Sequence, residues 1–211
     1  LRTLLEMQLD PWQEVSVDLP IQSAFQNVVG IDVDQNACQA TRLSLALLHL
    51  ALTDDFPTGL NIHKANAIQF FSSKPTLSAS FDAVIANPPF VKWTQLPEDL
   101  RDDVVRLLPR AGRPDLSLAI LKLGMEIVRP NGYVLYVLPH SFLLAKNARS
   151  VREKIADDYW VRFVGDLSQI PVFEDVGSYV ILLILQKKPK TISPPPRAVV
   201  LRCKGFVGRA L

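Results

Sequence analysis

The segment Asn87-Pro88-Pro89-Phe90 has the residue types and spacing best suited to chemistry in this chain of 211 residues. It follows the apolar run Phe81–Ala86, and its two prolines fix the backbone and remove two N–H donors. The Asn87 amide oxygen and the Pro88 carbonyl would then stand at a strand end, beside the Phe90 ring. Hydrogen bonds from the exocyclic amine of an aminopurine to both oxygens would let its nitrogen pyramidalise and attack, while the ring stacks on the base. An ordinary strand-ending turn is the alternative interpretation.

Two other predicted strands also end in polar residues. Asn27–Asp34 is an apolar run that ends in acids. The Asp32 carboxylate could accept hydrogen bonds from both hydroxyls of a ribose, because a carboxylate accepts two hydrogen bonds at once. Taken alone, such an acid is more often a helix cap, and we assign that role to Asp34. The weaker strand Asn61–Ala65 leads into Asn66-Ala67.

Apolar runs alternate with helical patterns along the chain, which predicts an α/β fold with a mostly parallel sheet and helices on both faces. Ligands of such sheets bind beyond the carboxyl ends of the strands, where Asp32, Asn66 and Asn87 are expected. Residues 11–27 are interpreted as a loop. The further predicted helices are Leu1–Leu9, Gln35–Thr53, Glu98–Leu108, Asp115–Val128 and Ser141–Asp157, and the further strands are Tyr133–Leu138, Trp160–Leu167 and Ser178–Gln186.

The composition is that of a globular protein, with 48% hydrophobic and 21% charged residues, which argues against disorder and coiled coil. No apolar run approaches the ~20 residues that a membrane span needs. Cys38 and Cys203 cannot form a disulfide framework, so we expect a cytoplasmic location. The histidines at positions 49, 63 and 140 are too scattered for a metal site, and we expect no metal.

The net charge of +2 conceals an asymmetry. Residues 187–211 contain seven basic residues and no acid, while residues 1–186 are net negative. A basic segment beside an acidic body is typical of a nucleic-acid partner, and a solvated tail is equally compatible with the charge alone. The stretch Ser193-Pro194-Pro195-Pro196 is interpreted as part of a stiff linker.

Asn87-Pro88-Pro89-Phe90 and the residues around it resemble the S-adenosylmethionine-dependent amino-DNA methyltransferases, in the subgroup whose catalytic region precedes a C-terminal target-recognition domain. The resemblance extends through Val91-Lys92-Trp93, Arg129-Pro130-Asn131-Gly132 and Pro171-Val172-Phe173. It covers most of residues 1–188, which we interpret as the methyltransferase catalytic domain. Residues 189–211 are then a proline-rich basic linker towards a target-recognition domain.

This resemblance implies a Rossmann-like fold, S-adenosylmethionine as cofactor and double-stranded DNA as partner, within a restriction–modification system that could include a fused or separate nuclease. Asparagine as the first motif residue implies transfer to N6 of a flipped adenine rather than to N4 of cytosine. Asn87 and Pro88 would bind the amine, and Phe90 and Phe173 would contact the base, although Phe173 could equally be a core residue. Pro89 completes the motif.

The same resemblance implies where the cofactor binds. Asp32 matches the ribose-binding acid, with Val33 beside it. Asn66 stands where the family usually has an aspartate that accepts from the adenine amine, and the Ala67 N–H could donate to the ring. A simple loop asparagine is the alternative for Asn66. Asp115 stands near the cofactor in relatives, but a helix cap explains it fully.

The family's glycine-rich loop is absent from this sequence, and in relatives a helix like Leu1–Leu9 follows that loop directly. We therefore expect a sheet that lacks the family's first strand, which would lie between the strands at 28–33 and 81–86. The isolated chain is expected to bind cofactor weakly and to be inactive.

Three other functions fit the sequence. Relatives with the same motif methylate a glutamine of a release factor or a guanine N2 in ribosomal RNA. A non-catalytic DNA-binding remnant would retain the fold without turnover. The basic tail and the Phe173 segment favour the DNA enzyme.

Overall fold

The computed structural model describes residues 18–169, 179–190 and 195–202. The chain divides into two compact units, Leu1–Phe70 and Phe71–Leu211, which are described separately. The predicted helix Leu1–Leu9 and the candidate base-contacting Phe173 lie outside the described residues. Among the helices that the structure describes, none is both long and apolar enough to cross a membrane.

The first unit is a βαβ arrangement with a short helix before it. Strands β1 and β2 pair in parallel, from Val29↔Asn61 to Asp32↔Lys64. The helix between them is capped at its start by the Asp34 side chain, which accepts the Asn36 N–H. The elements are α1 (Asp18–Gln26), β1 (Val29–Asp32), α2 (Gln35–Thr53), β2 (Asn61–Lys64) and α3 (Ala67–Ser72), which crosses the unit boundary.

The sequence interpretation of residues 11–27 as a loop was wrong for Asp18–Gln26, which form helix α1, while residues 11–17 lie outside the described residues. Ile21 and Phe25 lie one helical turn apart, and each is only 2% exposed. Pro20 falls in the first turn, where a missing N–H costs no intrahelical bond. The four-residue spacing of these apolar residues was therefore the sequence signal for this helix. Pro20 favoured the interpretation as a loop instead.

The second unit contains a five-stranded sheet with the order β3-β4-β6-β5-β7. Its core is the pairing of β4 with β6, where Val134, Leu138, Ile181 and Leu185 have no exposed surface. The elements are β3 (Phe81–Ala86), α4 (Glu98–Leu107), α5 (Leu116–Ile127), β4 (Val128–Pro139), α6 (Arg149–Asp158), β5 (Tyr159–Asp166), β6 (Val180–Lys187) and β7 (Val199–Arg202).

The direction of the strands in this sheet is mixed. β3 is parallel to β4, and β5 is parallel to β7, but β6 runs antiparallel to both β4 and β5. The carboxyl ends of β3, β4, β5 and β7 therefore share one edge, which we call the carboxyl edge. The α/β fold is confirmed, with a mixed sheet in this unit. β7 extends the sheet from within the segment that was expected to be a linker.

Strands β1 and β3 each pair with a single neighbour among the described residues. Each therefore has one edge without a partner in the part of the chain that the structure describes. These are the two strands between which the family resemblance places its first strand. The N-terminal and C-terminal sheets are accordingly separate sheets of two and five strands.

The predicted helix Ser141–Asp157 is shorter than expected. Helix α6 begins at Arg149 and is preceded by two short 3-10 helices, His140–Leu143 and Lys146–Ala148. The Arg152 guanidinium donates hydrogen bonds to two carbonyls of this loop, those of Phe142 at 2.7 Å and Ala145 at 2.9 Å. A side chain of the helix thus satisfies carbonyls that a longer helix would have paired with its own backbone.

Helix α5 approaches strand β4 closely at Gly124. The hydroxyl of Tyr136, on β4, donates to the Ile120 carbonyl at 2.9 Å, and burial raises the pKa of this tyrosine. At the end of the helix, the Lys187 ammonium donates to the carbonyls of Met125 and Val128, at 3.2 and 2.8 Å. Side chains from the sheet therefore satisfy carbonyls along the last turns of this helix.

Replacing Gly124 with alanine tests this close approach. A Cβ at this position would overlap the Tyr136 hydroxyl, so we expect Gly124→Ala to lower the free energy of unfolding by about 1–3 kcal/mol. At a helix position without such a neighbour the same change stabilises by about 1 kcal/mol. Urea unfolding measures the sign.

Tyr136→Phe provides the matched background, because it removes the hydroxyl that the new methyl group would meet. In this background Gly124→Ala should cost less than in the wild-type protein. Equal costs in the two backgrounds would show that the hydroxyl does not limit the packing.

Candidate active site

In the N-terminal unit, the structure brings Asp32 and Asn66-Ala67 together. Asp32 is the last residue of β1 and pairs in register with Lys64 of β2. The Ala65 N–H donates to the Asp32 carbonyl at 2.9 Å, so the residues that follow both strands lie side by side. The predicted placement of an acid and an amide at the carboxyl ends of two neighbouring parallel strands is thus observed, and ligands of α/β sheets bind at such ends.

The Asp32 side chain is exposed and retains acceptor capacity. Its Oδ1 atom accepts the Asp34 N–H at 2.8 Å, and a carboxylate has further lone pairs for a ligand. Asp34 in turn caps α2, which confirms the role that the sequence assigned to it. Val33 is 67% exposed and places an apolar surface beside the carboxylate. The ribose-binding role of Asp32 stays a prediction.

Asn66 caps the short helix α3. Its Oδ1 atom accepts the N–H of Ile68 at 2.9 Å and, at 3.5 Å, that of Gln69. This oxygen is therefore already engaged, and an adenine amine would have to share it. The half-buried Ala67 is the first residue of the helix. Binding of a cofactor by Asn66 and Ala67 stays a prediction, with helix capping as the role that the structure shows.

In the C-terminal unit, Asn87-Pro88-Pro89-Phe90 follows β3 at the carboxyl edge. Asn87 and Pro89 are exposed, Phe90 is half-buried, and Pro88 is buried. Within the described part of the chain, neither the Asn87 side chain nor the Pro88 carbonyl makes a hydrogen bond. Two acceptors and an aromatic ring are thus available together, although the catalytic role of these residues stays a prediction.

The start of α5 holds this segment in place. The Leu116 N–H donates to the carbonyl of Val91, the residue after Phe90, at 3.0 Å. Asp115 caps the same helix, because its Oδ1 atom accepts the Leu118 N–H at 3.0 Å and the Ser117 hydroxyl at 2.7 Å. Capping is the role that the sequence favoured for Asp115, and it is confirmed.

Arg101 is a neighbour of this segment that sequence reasoning missed. Its guanidinium lies 5.9 Å from the centre of the Trp93 ring, and it donates to the Thr94 carbonyl at 3.4 Å. The arginine therefore supports the turn that follows Phe90. Nothing in the local pattern of α4 could have indicated this contact, because it depends on how the turn folds back on the helix.

A second polar group lies further along the carboxyl edge. His140 follows β4, and its Nε2 atom is 3.9 Å from the carboxylate of Asp166, at the end of β5. Arg202, at the end of β7, approaches the same carboxylate to 3.5 Å. Hydrogen bonds from Ser168 lower the pKa of Asp166. Among the described residues there is no group of three or more His, Cys, Asp or Glu side chains that could hold a metal.

Residues 26–173 match the Eco57I restriction-modification methylase family. The chain belongs to this family. It is also 23% identical to the type II methyltransferase M.BanIII of Aneurinibacillus aneurinilyticus, over 85% of this chain and 32% of that protein. The chain therefore spans about a third of the length of this curated relative.

Solved structures show the same fold in proteins of low identity. A class I S-adenosylmethionine-dependent methyltransferase of Listeria monocytogenes superposes with a TM-score of 0.58 at 20% identity, over 85% of this chain and 50% of that one. The restriction-modification enzyme LlaBIII, solved bound to DNA, gives a TM-score of 0.68 at 12% identity, over 95% of this chain and 16% of that one. This Eco57I-family chain thus has the class I methyltransferase fold.

In this family member, the cap at Asp115 is expected to stabilise the helix that holds the candidate catalytic segment. Asp115→Ala removes the acceptor for the Leu118 N–H, so the free energy of unfolding should fall by about 1 kcal/mol. Asp115→Ser is the matched control, because serine is a comparable cap and should retain most of the stability. Denaturant unfolding that gave the same value for both variants would contradict this role.

Proposed function

We propose that the chain is the catalytic part of a DNA methyltransferase in a restriction–modification system, which transfers a methyl group from S-adenosylmethionine to N6 of an adenine. The observation that carries this proposal is that, among the described residues, the Asn87 amide and the Pro88 carbonyl next to Phe90 at the end of β3 make no hydrogen bond. Membership of the Eco57I restriction-modification methylase family supports the reaction class.

The chain's residues would act on the adenine amine. In free adenine the N6 lone pair is delocalised into the ring and is a poor nucleophile. If the Asn87 Oδ1 atom and the Pro88 carbonyl each accept one N6–H bond, the nitrogen can pyramidalise and direct its lone pair at the methyl carbon. S-adenosylmethionine, when bound, supplies that carbon on a sulfonium whose sulfur takes the electrons of the broken bond. The extra N6 proton then leaves to solvent.

The target adenine must leave the base stack to reach this edge of the sheet, because N6 is engaged in pairing within a duplex. Phe90 is half-buried, so one part of its ring is fixed by packing while the rest can stack on the extruded base. Phe173 would contact the same base, as the family resemblance implies. A target-recognition domain and a nuclease belong to the proposal for the whole protein.

The N-terminal unit fits the nucleoside part of the cofactor. The exposed Asp32 carboxylate would accept the two ribose hydroxyls, and the exposed Val33 side chain would cover one face of the adenine. The Asn66 Oδ1 atom, which caps helix α3, would also accept a hydrogen bond from the adenine amine, and the Ala67 N–H would donate to the ring. The acid, the apolar residue and the amide at one strand edge support this assignment.

Asn87→Ala in the intact protein tests the catalytic role. Loss of one of the two acceptors should lower the methylation rate of an adenine-containing duplex by about 100-fold or more, the scale seen when one transition-state hydrogen bond is removed. Transfer of labelled methyl groups measures it. Gln95→Ala removes an exposed amide from the following 3-10 helix and should leave the rate unchanged.

Adenine duplex, release factor and ribosomal RNA should be offered in parallel. Methylation of the duplex alone supports the proposal, and preference for either other substrate would replace it with the corresponding alternative. Full duplex activity in Asn87→Ala would refute the role of the asparagine. Absence of activity on all three substrates in the wild-type protein would favour the non-catalytic remnant.

Asp32→Asn and Asp34→Ala should separate cofactor binding from helix capping. In the intact protein, Asp32→Asn replaces a double acceptor with a single one, so affinity for S-adenosylhomocysteine should fall by about 10-fold with little change in stability. Asp34→Ala should lower the free energy of unfolding by about 1 kcal/mol and leave the affinity nearly unchanged. Calorimetric titration and urea unfolding give the two quantities, and the reverse pattern would exchange the roles.

A further inference from the structure

Two loops of the C-terminal unit, each of which carries a basic residue, meet at a hydrogen bond. Arg113 lies between α4 and α5, and Lys146 lies between β4 and α6. The Asn147 Nδ2 atom donates to the Arg113 carbonyl at 3.2 Å, which joins the loops directly. Both basic residues are exposed, and Leu144 beside them is 81% exposed. We call Arg113, Leu144 and Lys146 the loop surface.

The loop that carries Leu144 is held by several backbone bonds. The Ser141 carbonyl accepts the N–H groups of Leu144 and Ala145, at 3.1 and 2.8 Å. Arg152 binds two further carbonyls of the loop, as described above, and the Ala148 N–H donates to Ala145 at 3.2 Å. Leu144 is therefore displayed on a constrained turn. A constrained loop loses little conformational entropy when it binds a partner.

The loop surface adjoins the candidate catalytic segment. Arg113 precedes Leu116 by three residues, and the Leu116 N–H binds the carbonyl of Val91 next to Phe90. In addition, β3 and β4 pair in parallel up to Ala86↔Tyr136. The segments that follow these two strands therefore begin at the same edge of the sheet. A molecule positioned on Asn87-Pro88-Pro89-Phe90 would therefore lie beside the loop surface.

The acids near these loops are already engaged. The Asp115 carboxylate points to its own helix and accepts two hydrogen bonds there. Glu153 on α6 pairs with Arg149 at 2.8 Å. Among the residues that the structure describes, no acid pairs with Arg113 or Lys146. The loop surface thus has two exposed basic residues that pair with no acid among the described residues, together with the exposed apolar side chain of Leu144.

We propose that the loop surface binds the backbone of duplex DNA beside the target adenine. Arg113 and Lys146 contact phosphates, and Leu144 packs against the sugar or the base step next to them, as apolar side chains do in other protein–DNA interfaces. This assignment rests on the proposed function for the identity of the partner. It adds the residues that position the duplex, which the catalytic segment alone cannot do.

The salt dependence of duplex binding by the intact protein tests this proposal. Arg113→Ala and Lys146→Ala should each make the slope of log K against log salt less steep by about 0.9, the value for one lost phosphate contact. Leu144→Ala should weaken binding without changing the slope, because no charge is removed. Arg129→Ala is the matched control, since Arg129 pairs with Asp82 at the opposite end of β3 and β4 and its loss should leave the slope unchanged.

Charge-conserving variants guard against a purely structural effect. Arg113→Lys and Lys146→Arg should retain the wild-type slope, and thermal unfolding identifies any variant that fails to fold. Unchanged slopes in Arg113→Ala and Lys146→Ala, in a protein that still methylates adenine in DNA, would overturn the loop surface and leave the proposed function intact. Reduced slopes in a protein that methylates no adenine would support the loop surface and refute the proposed function. A wild-type protein that binds no duplex would overturn the loop surface.

Discussion

The contact between helix α5 and strand β4 at Gly124 is the constraint on which the C-terminal unit depends. Only the absence of a side chain lets the Tyr136 hydroxyl reach the Ile120 carbonyl. At the start of the same helix, the Leu116 N–H donates to the Val91 carbonyl. Near its end, the Met125 carbonyl accepts a hydrogen bond from the Lys187 ammonium on β6. One packed helix thus connects the candidate catalytic segment to the centre of the sheet. A change in the distance between this helix and β4 would therefore move both.

Elements with strong local signals were predictable from the sequence. Helix α2 was predicted at Gln35–Thr53, the bounds observed, because Asp34 caps it and an apolar strand precedes it. The direction of β6 could not be predicted, since an apolar run reads the same in either direction. Strand β7 was missed because its pairing with β5 depends on a partner more than 30 residues away. The start of α6 was displaced by Arg152, whose side chain competes with the helix backbone.

The candidate site also has features that the sequence could predict and others that it could not. The turn after β3 and the cap at Asp34 follow from the chemistry of single residues, so the sequence contained enough information for both. The contact of Arg101 with Trp93 and the hydrogen bond between Asn147 and Arg113 join segments that are far apart in the chain. No periodicity or motif encodes such contacts. Asn66 was predicted only in part. Its position after β2 followed from the sequence, but its role as a helix cap was not predicted.

The edge of β3 that faces away from β4 bears on how strands of different molecules could pair. This strand has no neighbour on one side among the described residues, and Ile85 on it is 71% exposed. Unpaired backbone groups beside an apolar side chain are a template for strands of other molecules. Within the part of the chain that the structure describes, β3 therefore has both features that strand pairing between molecules needs, and an extended peptide could pair with this edge by the same backbone hydrogen bonds.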